Sequence, residues 1–332
     1  MAALIHQCHH PATDPAALSP SSHTLIRRSQ HLFNPSQITS FLSPSKPPLS
    51  LSPYKPHHHS DHSSSLSRTP TLQHLLAPKS LERTQPLSNH ELSRLLKLSV
   101  EYADIQLNKA AHASILKVHQ DVRLFNSLIS SYIELGHLDY AEKVFNSILS
   151  PDVVSYTAMI SGLAKSGREN DAIRLFFEMR GSGIEPNGYT FVALLTACMR
   201  LLDLQLGSQL HAFSIKTGQF NCTYVANALM GLYGKCGCLD FVIKLFEEMP
   251  SRDIASWNTV ISCVVNGGMY DRAFELFHDM MIVDGFRVDY FTLSSLLVAC
   301  ARCFATFEGR GIHAYAYKIG YESSLSVRNA LI

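Results

Sequence analysis

From Val153 to Asn187 the chain reads VVSYTAMISGLAKSGRENDAIRLFFEMRGSGIEPN. Tyr156, Met159, Ile160 and Leu163 recur at i, i+3, i+4 and i+7, the spacing that lines one face of a helix. Ser166-Gly167 interrupts that pattern. Ala172, Leu175, Phe176 and Met179 then form a second stripe, which ends at Gly181-Ser182-Gly183. One such helical hairpin cannot bury both stripes by itself, whereas stacked neighbours can. Leu175 and Phe176 are therefore expected in a core between hairpins, with Gly167 at the turn.

The neighbours are in the sequence. Displaced by 101 positions, Asn126-Ser127-Leu128 falls on Asn227-Ala228-Leu229, Tyr132 on Tyr233, Gly136 on Gly237, Phe145 on Phe246 and Asp152 on Asp253. Ser155-Tyr156 meets Ser256-Trp257, and Met179 meets Met280. After one inserted residue the offset becomes 102: Leu194-Leu195 meets Leu296-Leu297, Ala197-Cys198 meets Ala299-Cys300, and His211-Ala212 meets His313-Ala314. Self-similarity at a fixed period is the signature of a repeat architecture. Each superperiod divides into three units: 122–152, 153–187 and 188–222, then 223–253, 254–289 and 290–324. An eroded unit, 89–121, precedes them, carrying Leu92, Leu95-Leu96, His112-Ala113 and Lys117 in the register of the long units. Residues 325–332 begin one more unit and stop within its first helix, which predicts a fragment of a longer protein. The expected fold is all-α, an α-solenoid superhelix of stacked helix-turn-helix repeats behind a disordered N-terminal leader.

The leader differs in chemistry from the repeats. Of 15 prolines and 17 histidines in the 332 residues, 11 and 10 lie in Met1–Ser80, with six basic residues and only Asp14 and Asp61 as acids. Stretches such as Ser43-Pro44-Ser45-Lys46-Pro47-Pro48 cannot propagate a helix, because proline lacks the amide donor. A basic, Ser-rich, acid-poor start reads as an organellar transit peptide and linker, for chloroplast ahead of mitochondrion because serine outweighs arginine. No apolar run reaches the roughly 18–20 residues a bilayer span requires, so no membrane partner is expected. The rest of the chain holds 22 basic and 25 acidic residues, so any anion-binding surface must be a local stripe.

The units resemble the pentatricopeptide repeat family of plants, in its subclass of alternating short, standard-length and long repeats. The short pattern is Asn227-Ala228-Leu229, then Tyr233-Gly234-Lys235-Cys236-Gly237, then Phe246-Glu247-Glu248-Met249-Pro250. The long one is Thr190-Phe191, then Leu194-Leu195-Thr196-Ala197-Cys198, then Gly207-Ser208-Gln209-Leu210-His211-Ala212. The resemblance covers about Asn89 to Ile332. It implies binding of single-stranded organellar RNA, one base per repeat, in support of processing, stabilisation or editing. Further partners would be RNA-processing or editing proteins. A small-molecule substrate and a cofactor are not implied.

Residue chemistry supports that implication without settling it. Position 5 of a unit falls in a first helix, where Asn is a poor helix former, yet it recurs as Asn126, Asn227, Asn258 and Asn329, with Thr157 equivalent. An amide presents both donor and acceptor, as a base edge requires. The last residue of a unit is Asp152, Asn187, Asp253 or Asp289, and these types are also favoured helix N-caps, so reading and capping both stand for them. The family's code, carried over, gives uracil to Asn126/Asp152, Asn227/Asp253 and Asn258/Asp289, and adenine to Thr157/Asn187. The extra residue in 254–289 leaves the register of Asp289 open. The long units depart: Val192/Cys222 has no comparable hydrogen-bonding pair, and Ser294/Ser324 is ambiguous. Family position 2 sandwiches the base, which Val154, Tyr224, Ala255 and Phe291 fit and Arg123 does not, although its guanidinium can stack or pair with phosphate.

Other motifs are read as structure. Cys236-x-Cys238 and Cys300-x-x-Cys303 lack the two further ligands of a zinc site, and repeat-register packing accounts for them. His57-His58-His59 with His62 sits in the leader. His211 and His313, at one register position, are expected to be structural. With no Gly-rich phosphate loop, no nucleophile–base set and no His-x-Glu of a deaminase, an enzyme is not expected, unless an editing domain follows Ile332. A protein-binding scaffold of the tetratricopeptide kind is the main alternative, although its uniform 34-residue unit conflicts with the observed alternation.

Overall fold

A computed structural model describes residues 87–118, 121–282 and 285–332. The leader, Met1–Ser80, lies outside these residues. Fifteen α-helices and no strand occur among the described residues. They are α1 Asn89–Glu101, α2 Ile105–Val118, α3 Val122–Glu134, α4 Leu138–Ser147, α5 Val153–Lys165, α6 Glu169–Gly181, α7 Gly188–Leu201 and α8 Leu204–Lys216. There follow α9 Thr223–Lys235, α10 Leu239–Glu248, α11 Ile254–Asn266, α12 Tyr270–Ile282, α13 Tyr290–Arg302, α14 Thr306–Lys318 and α15 Leu325–Leu331. No described helix is long and apolar enough to cross a membrane.

The odd-numbered helices pack on one another in sequence, from α1 on α3 through to α13 on α15. Each even-numbered helix packs on its own partner, and those from α2 to α12 also pack on the next odd-numbered helix. Close packing of the first helices makes them one continuous layer, backed by the second helices, which is the α-solenoid arrangement. The core runs through it unbroken from Leu92 to Val327. Met159, Ile160, Ala172 and Met179 are at most 1% exposed and Phe176 is 3%, so both stripes of 153–187 are buried. Leu175 departs from expectation: it is only half-buried, at the rim of that core. Phe176, one helical step of about 100° further round, takes the central place.

The superperiod recurs in packing detail. Phe145 meets Tyr156 edge-on at 5.1 Å, and Phe246 meets Trp257 edge-on at 4.6 Å. Tyr132 stacks on Tyr140 at 5.2 Å, as Tyr233 stacks on Phe241 at 5.3 Å. His211 Nδ1 lies 3.1 Å from the Tyr233 hydroxyl, and His112 Nδ1 lies 3.0 Å from that of Tyr132. His211 is thus structural, tying a long unit to the next first helix. His313, expected to be structural as well, is exposed and makes no such contact.

Gly167 turns α5 into α6 with φ +78°, as expected from sequence. In the hairpins α1–α2, α7–α8 and α13–α14 the equivalent turn holds Ala103, Leu202 and Phe304 with φ between 50° and 55°, where a side chain is strained. Of the cysteines, Cys198, Cys238 and Cys300 lie in the core, and burial pushes the Cys198 and Cys300 thiols up to about 12.

Candidate nucleic-acid interface

First helices begin where a side chain can cap them. Asp152 accepts from the Ser155 amide, Asn187 from that of Thr190, Asp253 from that of Ser256 and Asp289 from that of Thr292. Capping therefore operates at all four of these last residues. Cys222 and Ser324, the last residues of 188–222 and 290–324, differ: neither caps the helix it precedes through its side chain.

The cap also joins position 5 of the unit before. Asn126 Nδ2 donates to Asp152 Oδ1 at 3.0 Å, while the Ser155 hydroxyl donates to Asn126 Oδ1 at 2.6 Å. Asn258 repeats this, donating to Asp289 Oδ2 at 2.9 Å and accepting from the Thr292 hydroxyl at 2.6 Å. The extra residue of 254–289 is thus absorbed between Ile282 and Asp289, leaving Asp289 in the place that Asp152 holds. Thr157 joins through a relay, its hydroxyl 2.7 Å from that of Thr190, which donates to Asn187 Oδ1 at 3.1 Å. Asn227 hydrogen-bonds Asp253, but its buried Oδ1 has no partner. The structure thus brings all four pairs together.

These bonds set the charge. Desolvation pushes the Asp152 carboxyl up, but bonds from the Ser155 amide, Asn126 and the Ser155 hydroxyl outweigh it and hold the group below 3.8. Asp253 is lowered the same way, with Ser256 and Asn227 overcoming desolvation. Both are carboxylates at neutral pH and, with about four lone-pair sites each, keep accepting capacity beyond the cap.

Two cavities open on this row. One of about 490 Å³ lies between α1 and α3, lined by Ser93, Lys97, Arg123, Asn126, Asp152 and Val154 among others. Another of about 590 Å³ lies between α5 and α7, lined by Val154, Thr157, Lys165, Asn187, Tyr189 and Val192 among others. In each, position-2 side chains of adjacent units wall the space above a position-5/last-residue pair. Val154, Tyr224 and Phe291 are 50%, 40% and 53% exposed, and Ala255 and Asn329 are exposed too. Ser294 instead gives its hydroxyl to the Phe291 carbonyl at 3.0 Å, and Ser324 lies half-buried.

Sequence reasoning missed two groups. Ser155, Thr190, Ser256 and Thr292 all stand at position 3, and that recurrence was readable as the third residue of a capping box. Lys97 and Lys165 line the cavities, but single lysines on amphipathic helices carry no such signal.

Residues 151–200 match the PPR repeat family, and residues 123–150, 224–254 and 255–282 each match the PPR repeat. The chain belongs to the pentatricopeptide repeat family. A pentatricopeptide repeat-containing protein of Arabidopsis thaliana is 49% identical over 243 residues, 72% of this chain and 27% of the relative. A chloroplastic one from the same plant is 32% identical over 74% of this chain and 26% of its own length. A mitochondrial one is 33% identical over 69% and 22%. The chain thus spans about a quarter of the length of these relatives. The pentatricopeptide repeat protein PPR10, solved in complex with an 18-nt psaJ RNA element, superposes with a TM-score of 0.64 at 21% identity, over 80% of this chain and 40% of that one. That likeness is one of fold.

Proposed function

We propose that this pentatricopeptide repeat chain binds single-stranded organellar RNA along its row of first helices, as part of RNA processing, stabilisation or editing. The observation that carries the reading is the joined pair, a position-5 amide or hydroxyl linked to the last residue of the unit on the floor of a walled cavity. The edge of uracil presents one N–H between two carbonyl oxygens. Asn126/Asp152, Asn227/Asp253 and Asn258/Asp289 offer amide N–H donors beside carboxylate acceptors, which complement it. Thr157/Asn187 replaces the carboxylate by an amide, which can donate to adenine N1 and accept from its amino group. Units 122–152 and 223–253 act as short repeats, 153–187 and 254–289 as standard ones, and 188–222 and 290–324 as long ones, after the eroded 89–121 and before a further unit starting at 325.

The mechanism is binding rather than catalysis. Position-2 side chains stack on bases, pairs select them, and Lys97, Lys165 and Arg123 hold phosphates near otherwise acidic repeats. Met1–Ser80 would direct import, to the chloroplast or alternatively the mitochondrion; relatives carry both designations.

The test measures affinity of the 332-residue chain for unstructured RNA containing U-A-N-U-U, in either polarity, against a scrambled strand of equal composition. Salt is held fixed because phosphate contacts make affinity salt-dependent. The reading expects a preference of at least about 10-fold, since each mismatched base commonly costs roughly 1–3 kcal/mol. Equal affinity for both strands contradicts it.

A further inference from the structure

Unit 188–222 breaks the pattern of its neighbours in three contacts that meet at one side chain, Tyr224. Its position-2 ring, Tyr189, does not wall an open space toward the next unit: it stacks on Tyr224, the next position-2 residue, with centroids 5.2 Å apart and planes 18° from parallel. That is the offset-stacked geometry preferred by aromatic pairs. The Tyr224 phenol is also seated. It lies over Gly188, where an added Cβ would come 2.5 Å from the hydroxyl. Position 1 carries Asn89, Val122, Val153, Thr223, Ile254, Tyr290 or Leu325 elsewhere, so this is the one described unit whose position 1 has no side chain in the way of the ring. Finally, the last residue of the unit, Cys222, is engaged with the Tyr224 hydroxyl rather than with its own position 5, which is Val192.

We infer that the Tyr189–Tyr224 stack occupies the base site of unit 188–222, so that this unit reads no base and the nucleotide opposite it is carried with its base outside the row. The inference rests on the RNA-reading proposal and deepens it. In the cavity between α5 and α7, position-2 walls Val154 and Tyr189 stand apart above Thr157/Asn187. The equivalent walls of the next unit are already in contact, and a base could enter only by parting them by one further ring-stacking distance and lifting Tyr224 off Gly188. Nothing on the floor would compensate, because Val192 offers no hydrogen bond and the Cys222 thiol is a weak donor. The free face of Tyr189, a residue 67% exposed, continues the stack of the adenine read by Thr157/Asn187 in place of a neighbouring base. The recognised sequence is then two blocks, U-A and U-U, across one indifferent nucleotide.

The experiment uses the 332-residue chain and unstructured RNA with the U-A-N-U-U core in its preferred polarity. Abasic nucleotides replace N, the A before it and the U after it, one at a time. The closed site predicts less than about 2-fold loss at N and about 10-fold or more at either flank. With 2-aminopurine at N, fluorescence should stay bright in the complex. Tyr224→Val, which gives this unit the side chain that Val154 provides elsewhere, should open the site, quench the probe and make the abasic nucleotide costly. Because Tyr224 is 40% exposed, that variant should keep its fold. An abasic loss at N as large as at the flanks, or quenching with unaltered protein, overturns the closed site alone. Indifference to abasic replacement at all three positions overturns base reading itself.

Discussion

At Asn126 the hydrogen-bond partners decide what a base can meet. Ser155 donates to its carbonyl, so the amide nitrogen must face Asp152. Ser155→Ala would free the amide to flip, and would also remove half of a capping box. Loss of that half of the box alone should lower stability by about 0.5–1.5 kcal/mol, the net worth of a hydrogen bond, and weaken binding to all RNAs alike. Loss of orientation should in addition erase the uracil preference opposite unit 122–152, and Ser155→Thr should restore it, since Thr292 does the same work for Asn258. A Ser155→Ala chain that keeps full discrimination there would reduce position 3 to a cap. Leu202 is a residue-scale test of the turns. It holds φ 54° with its side chain 56% exposed, so strain is not offset by burial. A left-handed non-glycine residue costs about 1–2 kcal/mol, and glycine gives back roughly 0.5–1 through the unfolded chain. Leu202→Gly should therefore raise stability by about 0.5–1 kcal/mol in a urea titration; a loss would show that the side chain packs.

Among the elements, the helix pair 153–187 shows how far sequence carries. The 3.6-residue period and the 101-residue self-match identified the hairpins, the stacking and most of the buried stripe, because burial leaves a periodic trace. Phase was less secure. Two adjacent apolar residues, Leu175 and Phe176, share a stripe in sequence, and only packing shows that Phe176 is central and Leu175 peripheral. Phe176→Ala should cost about 3–5 kcal/mol and Leu175→Ala no more than about 2. Equal costs, measured by the same denaturant titration, would put the helix phase in doubt. The candidate pairs were legible too, since Asn in a helix is an anomaly that asks for a reason. What was not legible was contact across units: the reach of the position-3 hydroxyls to Asn126 and Asn258 and the seat of Tyr224 on Gly188 each depend on which helix lies alongside.

For the molecule as a whole, buried and paired ionisable groups set its response to acid. Burial lowers His112 and His211 below 6.5, and Asp152 and Asp253 are held below 3.8. A depressed pKa contributes stability that is present above the unfolded value and is lost as pH falls through the folded one. Stability should thus be level between about pH 7 and 8, decline first below 6.5 as the imidazoles charge, and decline again below 3.8 as the carboxylates protonate. It should also fall at alkaline pH, where the unfolded chain ionises the Cys198 and Cys300 thiols that the fold keeps neutral. His211→Gln should flatten the first decline in thermal melts across pH. An unchanged first decline in that variant would remove His211 from the account.

The modular arrangement of the stack makes a stronger demand: changing one pair should change one letter of the RNA and no other. Thr157→Asn combined with Asn187→Asp gives unit 153–187 the residues of its neighbour while retaining a cap-competent last residue, so the fold should change little. Affinities for two unstructured RNAs differing only at the nucleotide opposite that unit are compared at fixed salt. The account predicts that the unaltered chain favours adenine there and the double variant uracil, each by roughly 1–3 kcal/mol, with discrimination at the other positions intact. A folded double variant that still prefers adenine would contradict it, leaving Thr157 and Asn187 as packing and capping residues.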